Sequence, residues 1–298
     1  MSDLSANLSN VSPALWGLLS ALSFGTADFA ARFTSLRFGH YPSIFVTFVL
    51  GVVVFVPLML AESNVVWDPT GLTLTAVYGV LFAYSMIFLY RVLARGPINV
   101  VAPIVAAHPV FIILIAFVLG SRPSAAQWLL MAVILIAIVV ITYAAAGGDA
   151  ARTDQHDDRA YRRVTIGLSL VTSIFYALNV VTAQRAVLIL GEWMTIALGH
   201  VVALAVVLFS PQIRYNYASI ELRWWGVLLV QGVLNAAGGL FLLAGSFGLY
   251  PEITALLSSE FSVVTILLAA IFLRERMRWY QTTAVVAIFF ATGYLSTL

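Results

Sequence analysis

The sequence predicts an all-α polytopic membrane protein of ten transmembrane helices arranged as a 5+5 inverted repeat. Three observations carry that expectation. Of the 298 residues, 62% are hydrophobic and only 9% are charged. Apolar runs long enough to cross a bilayer follow one another along the whole chain. The fourth and ninth of these runs also align without a gap, Pro97 falling on Pro251.

With a mean hydropathy of +1.00, the chain has too little polar surface for a water-soluble globule. It contains no cysteine, and its 15 basic residues are all arginine. Disulfides, thiol catalysis, cysteine-ligated metals and lysine chemistry are therefore excluded. The pI near 9.0 comes from arginines that punctuate apolar runs, so no nucleic-acid partner is expected.

Cutting at Pro, Gly and charge clusters gives spans at 14–36, 42–61, 71–93, 97–119, 125–146, 164–188, 192–210, 224–248, 251–273 and 279–297. The runs are continuous and lack the alternation of an outer-membrane strand, so they read as helices. The N-terminus has no basic region ahead of its apolar run and no small-residue cleavage site, so the first span is expected to be retained. The hydrophilic stretch 147–163 reads as a solvated linker. It separates a first five-helix repeat at 1–146 from a second at 164–298.

Arg37, Arg91, Arg95, Arg152, Arg159, Arg162, Arg163, Arg214, Arg223, Arg274, Arg276 and Arg278 fall in odd-numbered connectors. The even-numbered connectors and the tails hold essentially Arg122 alone. The positive-inside rule then puts odd connectors in the cytoplasm and both termini outside. In the repeat, Leu114 matches Leu268, Leu119 matches Leu273, Arg122 matches Arg276 and Gln127 matches Gln281. At a slightly different offset Gly17 falls on Gly167, Ser23 on Ser173 and Ala27 on Ala177. Five spans followed by five similar ones must sit oppositely in the bilayer, which is the pattern of secondary transporters with a site near the midplane.

These features give the chain a resemblance to the ten-helix, EamA-type members of the drug/metabolite transporter superfamily. They are the repeat, Pro97 and Pro251 opening spans 4 and 9, the exits LGSRPSAAQ and LRERMRWYQ, and FGTADFAARF closing the first span. The resemblance implies two EamA-like repeats. It also implies export or exchange of a small metabolite by alternating access, with a proton or counter-substrate, in the cytoplasmic (inner) membrane. Ser121 departs from the acidic exit motif, where the family has glutamate.

Among individual residues, Glu260 lies nine residues into span 9, about 13 Å of helix rise from Pro251. An acid at that depth needs a reason. The repeat brings the aligned part of span 4, with His108, opposite it, which would make a proton- or cation-binding pair. The competing reading is a structural hydrogen bond to Ser258, Ser259 or Ser262. Asp28 and Arg32 are spaced i,i+4 and can neutralise each other, or Asp28 can face a cavity and bind a substrate amine or proton.

Span 6 carries a polar stripe of Ser173, Tyr176 and Asn179, with Thr182 and Gln184 beyond it. Span 8 carries Gln231 and Asn235 beside a glycine series from Gly232 to Gly248. Polar stripes either glue helices or line a wet path, and the glycines fit close packing. Trp16, Phe24, Tyr78, Tyr84, Phe175, Tyr176 and Phe241 lie deep enough to wall a site, although each can equally be packing. His200 reads as a helix–helix donor. Pro103 and Pro109 remove two backbone hydrogen bonds and predict a kink near His108.

No phosphate loop, zinc spacing or catalytic triad is present, so no metal or cofactor is expected. The function expected is secondary transport of a small metabolite such as an amino acid or an amphipathic amine. Its partners are that substrate, a proton or counter-substrate, and membrane lipid. An uncoupled facilitator or exchanger is the alternative, and an intramembrane enzyme a distant one.

Overall fold

The computed structural model describes residues 12–62, 66–120, 122–147, 155–210, 217, 220–246, 251–274 and 279–295. Ser121, Arg152, Arg214, Gly248, Arg276 and Arg278 lie outside the described residues.

Twelve helices build the described chain: α1 (Pro13–Phe38), α2 (His40–Leu60), α3 (Pro69–Arg95), α4 (Ile98–Ala106), α5 (His108–Val118), α6 (Ala125–Gly147), α7 (Gln155–Leu190), α8 (Glu192–Leu208), α9 (Leu222–Ser246), α10 (Pro251–Ser259), α11 (Phe261–Leu268) and α12 (Trp279–Leu295). A π-helical turn, Ala269–Leu273, continues α11. Because α4 with α5, and α10 with α11, are each one helix broken in two, the described residues form ten helical units and no strand. Among the described residues, six helices are long and apolar enough to cross a membrane. Large apolar side chains such as Val53, Leu129, Ile136, Phe272 and Phe290 stand on the outside, as hydrocarbon surroundings require.

Local chemistry sets the ends of the helices. Asp68 accepts a hydrogen bond from the Gly71 amide at 2.9 Å and Pro69 occupies the first turn, so α3 starts there. Gly39 (φ 86°, ψ 160°) and Gly191 (φ 81°, ψ 169°) turn the chain sharply between α1 and α2 and between α7 and α8. Both adopt a backbone that glycine enters without a Cβ clash. α7 begins at Gln155, so much of the expected linker is helix. Its start is tied down by the Tyr161 hydroxyl, which donates to the Arg95 carbonyl at 2.8 Å, while the Arg95 guanidinium lies 4.1 Å above the Tyr161 ring.

The kink expected near His108 is a full break at Ala107. Pro109 has no N–H for the Val105 carbonyl, and that oxygen is taken up by His108 Nδ1 at 3.3 Å and the Ser173 hydroxyl at 3.4 Å. Span 9 breaks in the same way at Glu260 without a proline. Ala107 has φ −78°, ψ 8° and Glu260 has φ −80°, ψ 11°.

α1 packs very closely against α10 and α11. A Cβ on Gly17 would sit 2.7 Å from Leu257 Cβ, and one on Gly25 would sit 2.5 Å from the Phe261 carbonyl oxygen. Small residues allow this approach in lipid, where packing and hydrogen bonds replace the hydrophobic driving force. Thr254 donates to the Pro13 carbonyl at 3.0 Å, Ser258 meets the Ser20 hydroxyl at 2.7 Å and Thr265 donates to the Gly25 carbonyl at 3.1 Å. Thr254, Ser258 and Thr265 share one face of span 9, so the seam is a hydroxyl ladder.

The packing map is nearly two-fold. α3 packs on α7 as α9 packs on α1, α3 on α8 as α9 on α2, and the broken span α4–α5 on α7 as α10–α11 on α1. The largest departure from the pattern is at α1. α1 packs along α3, whereas their counterparts α7 and α9 barely touch. The main apolar core, with Phe48, Tyr90, Leu93, Ile98 and Ile104 fully buried, lies beside the α1–α3 contact.

Candidate functional site

The gap between α7 and α9 is a cavity of about 550 Å³, walled by α1, α2, α3, α7, α8, α9 and α11. That size falls within the roughly 300–1,000 Å³ typical of small-molecule sites. Gln184, Leu188 and Glu192 lie at the end that carries the Gly191 turn. Asp28, Leu89, Tyr176, Asn235 and Phe261 lie at the inner end. The lining therefore runs from the Gly191 turn inward and stops short of the Gly39 and Gly96 turns, which form the closed side.

Two structures seal the closed side. Arg32, one turn beyond Asp28, donates to the carbonyls of Leu93 (3.0 Å) and Gly96, joining α1 to the end of α3. The expected Asp28–Arg32 neighbours on α1 thus have different surroundings, Asp28 at the cavity and Arg32 on these carbonyls. Gln231 forms the second seal. It accepts from Thr34 at 2.6 Å and donates to Thr47 Oγ1 at 2.9 Å and the Tyr90 hydroxyl at 3.1 Å. Four helices, α1, α2, α3 and α9, meet at this one amide.

Of the residues singled out from the sequence, Asp28, Tyr176, Asn179 and Asn235 line the cavity. Asp28 does so at only 6% exposure. Asn179 reaches Ser85 Oγ at 3.5 Å. Gln231 is fully buried at the hub and does not line the cavity. Tyr84 is 43% exposed, against Phe88 and Phe175 on the outside of the bundle. Trp16 stacks on Phe241 with centroids 5.8 Å apart.

His108 and Glu260 sit at the two helix breaks, with Tyr176 between these regions. The Tyr176 ring is 4.9 Å from that of His108 and 6.4 Å from that of Phe261. Glu260 Oε1 is buried with no hydrogen-bond partner, so the hydroxyl bond weighed from sequence is not made at that oxygen.

Sequence reasoning passed over Glu192, Thr195 and Ile196, which line the cavity together with His200. Their signal was present, because positions 192, 195, 196 and 200 share one face of a helix. His200 is fixed by Nδ1 lying 2.8 Å from the Ile196 carbonyl and by the rings of Phe55 and Phe82, 4.8 and 5.0 Å away. Phe24, Phe55, Tyr78, Phe82, Tyr176 and Phe261 give the wall its aromatic surface. No group of three or more metal-ligating side chains occurs among the described residues.

A solved crystal structure, one of 27 matching chains, is similar to this one with a TM-score of 0.58 at 16% identity. The similarity covers 96% of each chain and concerns the fold. No curated protein matches the sequence. Residues 11–143, a segment that runs from α1 into α6 and includes Asp28 and the seal at Arg32, match the EamA-like transporter family.

Proposed function

We propose that the chain is a secondary transporter that exports a small metabolite across the cytoplasmic membrane by alternating access, with the α7–α9 cavity as its substrate site. The carrying observation is the broken symmetry of the packing. α1 closes on α3 while α7 and α9 stand apart, so exchanging the roles of the two halves generates a state open on the other face.

Backbone geometry supports an inverted repeat of 1–146 and 164–298. The left-handed positions among the described residues are Gly39, Gly120, Gly191 and Arg274. They pair across the proposed halves, Gly39 with Gly191 after the first and sixth spans and Gly120 with Arg274 after the fourth and ninth. The breaks at Ala107 and Glu260 pair likewise. With arginine-rich connectors in the cytoplasm, the Gly191 face is external and the conformation described is outward-open.

Glu260 is the proposed coupling group, because a buried carboxylate oxygen without a partner at a helix break is a place where a proton exchanges. Transport driven by an imposed pH gradient in proteoliposomes tests it. Loss of pH-driven flux in Glu260→Gln with retained substrate exchange is expected. Undiminished pH-driven flux in that variant removes Glu260 as the coupling group, and absence of pH-driven flux in the wild type leaves an uncoupled exchanger.

A further inference from the structure

We propose that the cavity selects an amphipathic cation, an amine or quaternary ammonium on an aromatic-sized apolar body, over zwitterions and anions; this rests on the transport reading above. The carboxyl groups on its wall face no arginine or lysine there. Asp28 stands at the inner end and Glu192 at the mouth. No arginine is among the described lining residues, and the chain contains no lysine.

The nearest cation along α1, Arg32, is drawn to the carbonyls of Leu93 and Gly96 on the closed side. His200 is held to the Ile196 carbonyl by Nδ1. A carboxylate brought into this space would face Asp28 without a charged donor to hold it. An ammonium would meet an acid at both ends of its path, in surroundings where charge pairs are weakly screened.

The rings supply the second half of the selection. Tyr78 and Phe82 lie parallel within 10° at 5.8 Å, and Phe24 meets Phe261 edge-on at 6.4 Å. Such faces attract a desolvated cation and shelter an apolar body. Asn179 and Asn235 offer neutral amides that orient a solute without reversing the sign of the charge.

The test uses the full-length protein purified in detergent and four probes with one phenyl body: phenethylamine, phenylalanine, phenylpropionate and phenethyl alcohol. Calorimetric titration is expected to give phenethylamine the lowest Kd, by at least about ten-fold over phenylalanine. Asp28→Asn, which keeps the side-chain volume, is expected to weaken phenethylamine at least about ten-fold while leaving phenethyl alcohol within about two-fold. If that variant does not fold, the order of the four wild-type affinities decides.

Phenylalanine or phenylpropionate binding as tightly as phenethylamine overturns the proposal. So does phenethylamine binding that Asp28→Asn leaves unchanged, or the absence of binding by all four. Counterflow in proteoliposomes separates this from the transport reading. Phenethylamine that binds through Asp28 but is never moved leaves the cation site standing and removes transport. Phenylalanine moved in preference to phenethylamine does the reverse.

Discussion

Arg32 donates to the Leu93 carbonyl at 3.0 Å, tying α1 to α3 on the side of the cavity away from Glu192. That oxygen lies near the C-terminal end of α3, where carbonyls lack helical partners and the helix dipole favours a cation. The bond is a charge-assisted latch across a helix pair whose counterpart, α7 and α9, stands apart.

Replacing Arg32 with glutamine is expected to loosen this closed side. The chain has no cysteine, so a single Ala31→Cys thiol, at a fully buried position, reports on it cleanly. Reaction with a water-soluble maleimide is expected to be negligible in the Ala31→Cys background and to rise at least about ten-fold when Arg32→Gln is added. Equal, slow labelling in both would show that the latch does not hold the side shut.

Gln231→Leu removes the amide that unites Thr34, Thr47 and Tyr90. Interhelical hydrogen bonds in membranes contribute about 0.6 kcal/mol each on average, so losing this set is expected to cost about 1–2 kcal/mol and to lower the Tm measurably. A Tm equal to wild type would mean the hub is not structural.

Much of this architecture is legible in the sequence. The span expected at 71–93 is α3 at Pro69–Arg95, because apolar length, an Asp-Pro start and a Gly-Pro stop all act locally. Pro109 announced the break at Ala107 for the same reason. The break at Glu260 has no such marker, since no proline lies inside that span.

The candidate site was partly legible. Asp28, Tyr176, Asn179 and Asn235 face one cavity, but Gln231, equally polar and one turn from Asn235, is consumed by partners from three other helices. No local pattern distinguishes those two fates. Trp16 and Tyr84 show the same limit for aromatics, because depth along a helix does not say which side faces the centre. The stretch 155–163 read as a linker through its charges, yet Tyr161 and Arg95 anchor it as helix by contacts 66 residues apart in the chain.

Pro109→Ala restores an N–H opposite the Val105 carbonyl and so competes with His108 and Ser173 for that oxygen. The variant is expected to fold, to match or exceed wild-type Tm, and to transport several-fold more slowly as the break stiffens. Unchanged transport would remove any role for the break in the conformational cycle.

In the proposed transport cycle one cavity is reached in turn from the two faces of the membrane. Ala183→Cys places a thiol on the cavity wall in an otherwise cysteine-free chain. Labelling of that variant by an impermeant maleimide, applied separately to each face of oriented proteoliposomes, reads this access. The expected result is labelling from both faces, faster from the Gly191 face, with Gln231→Leu raising the rate from the opposite face. Labelling from the Gly191 face alone, in both backgrounds, would make the cavity a blind pocket and contradict alternating access.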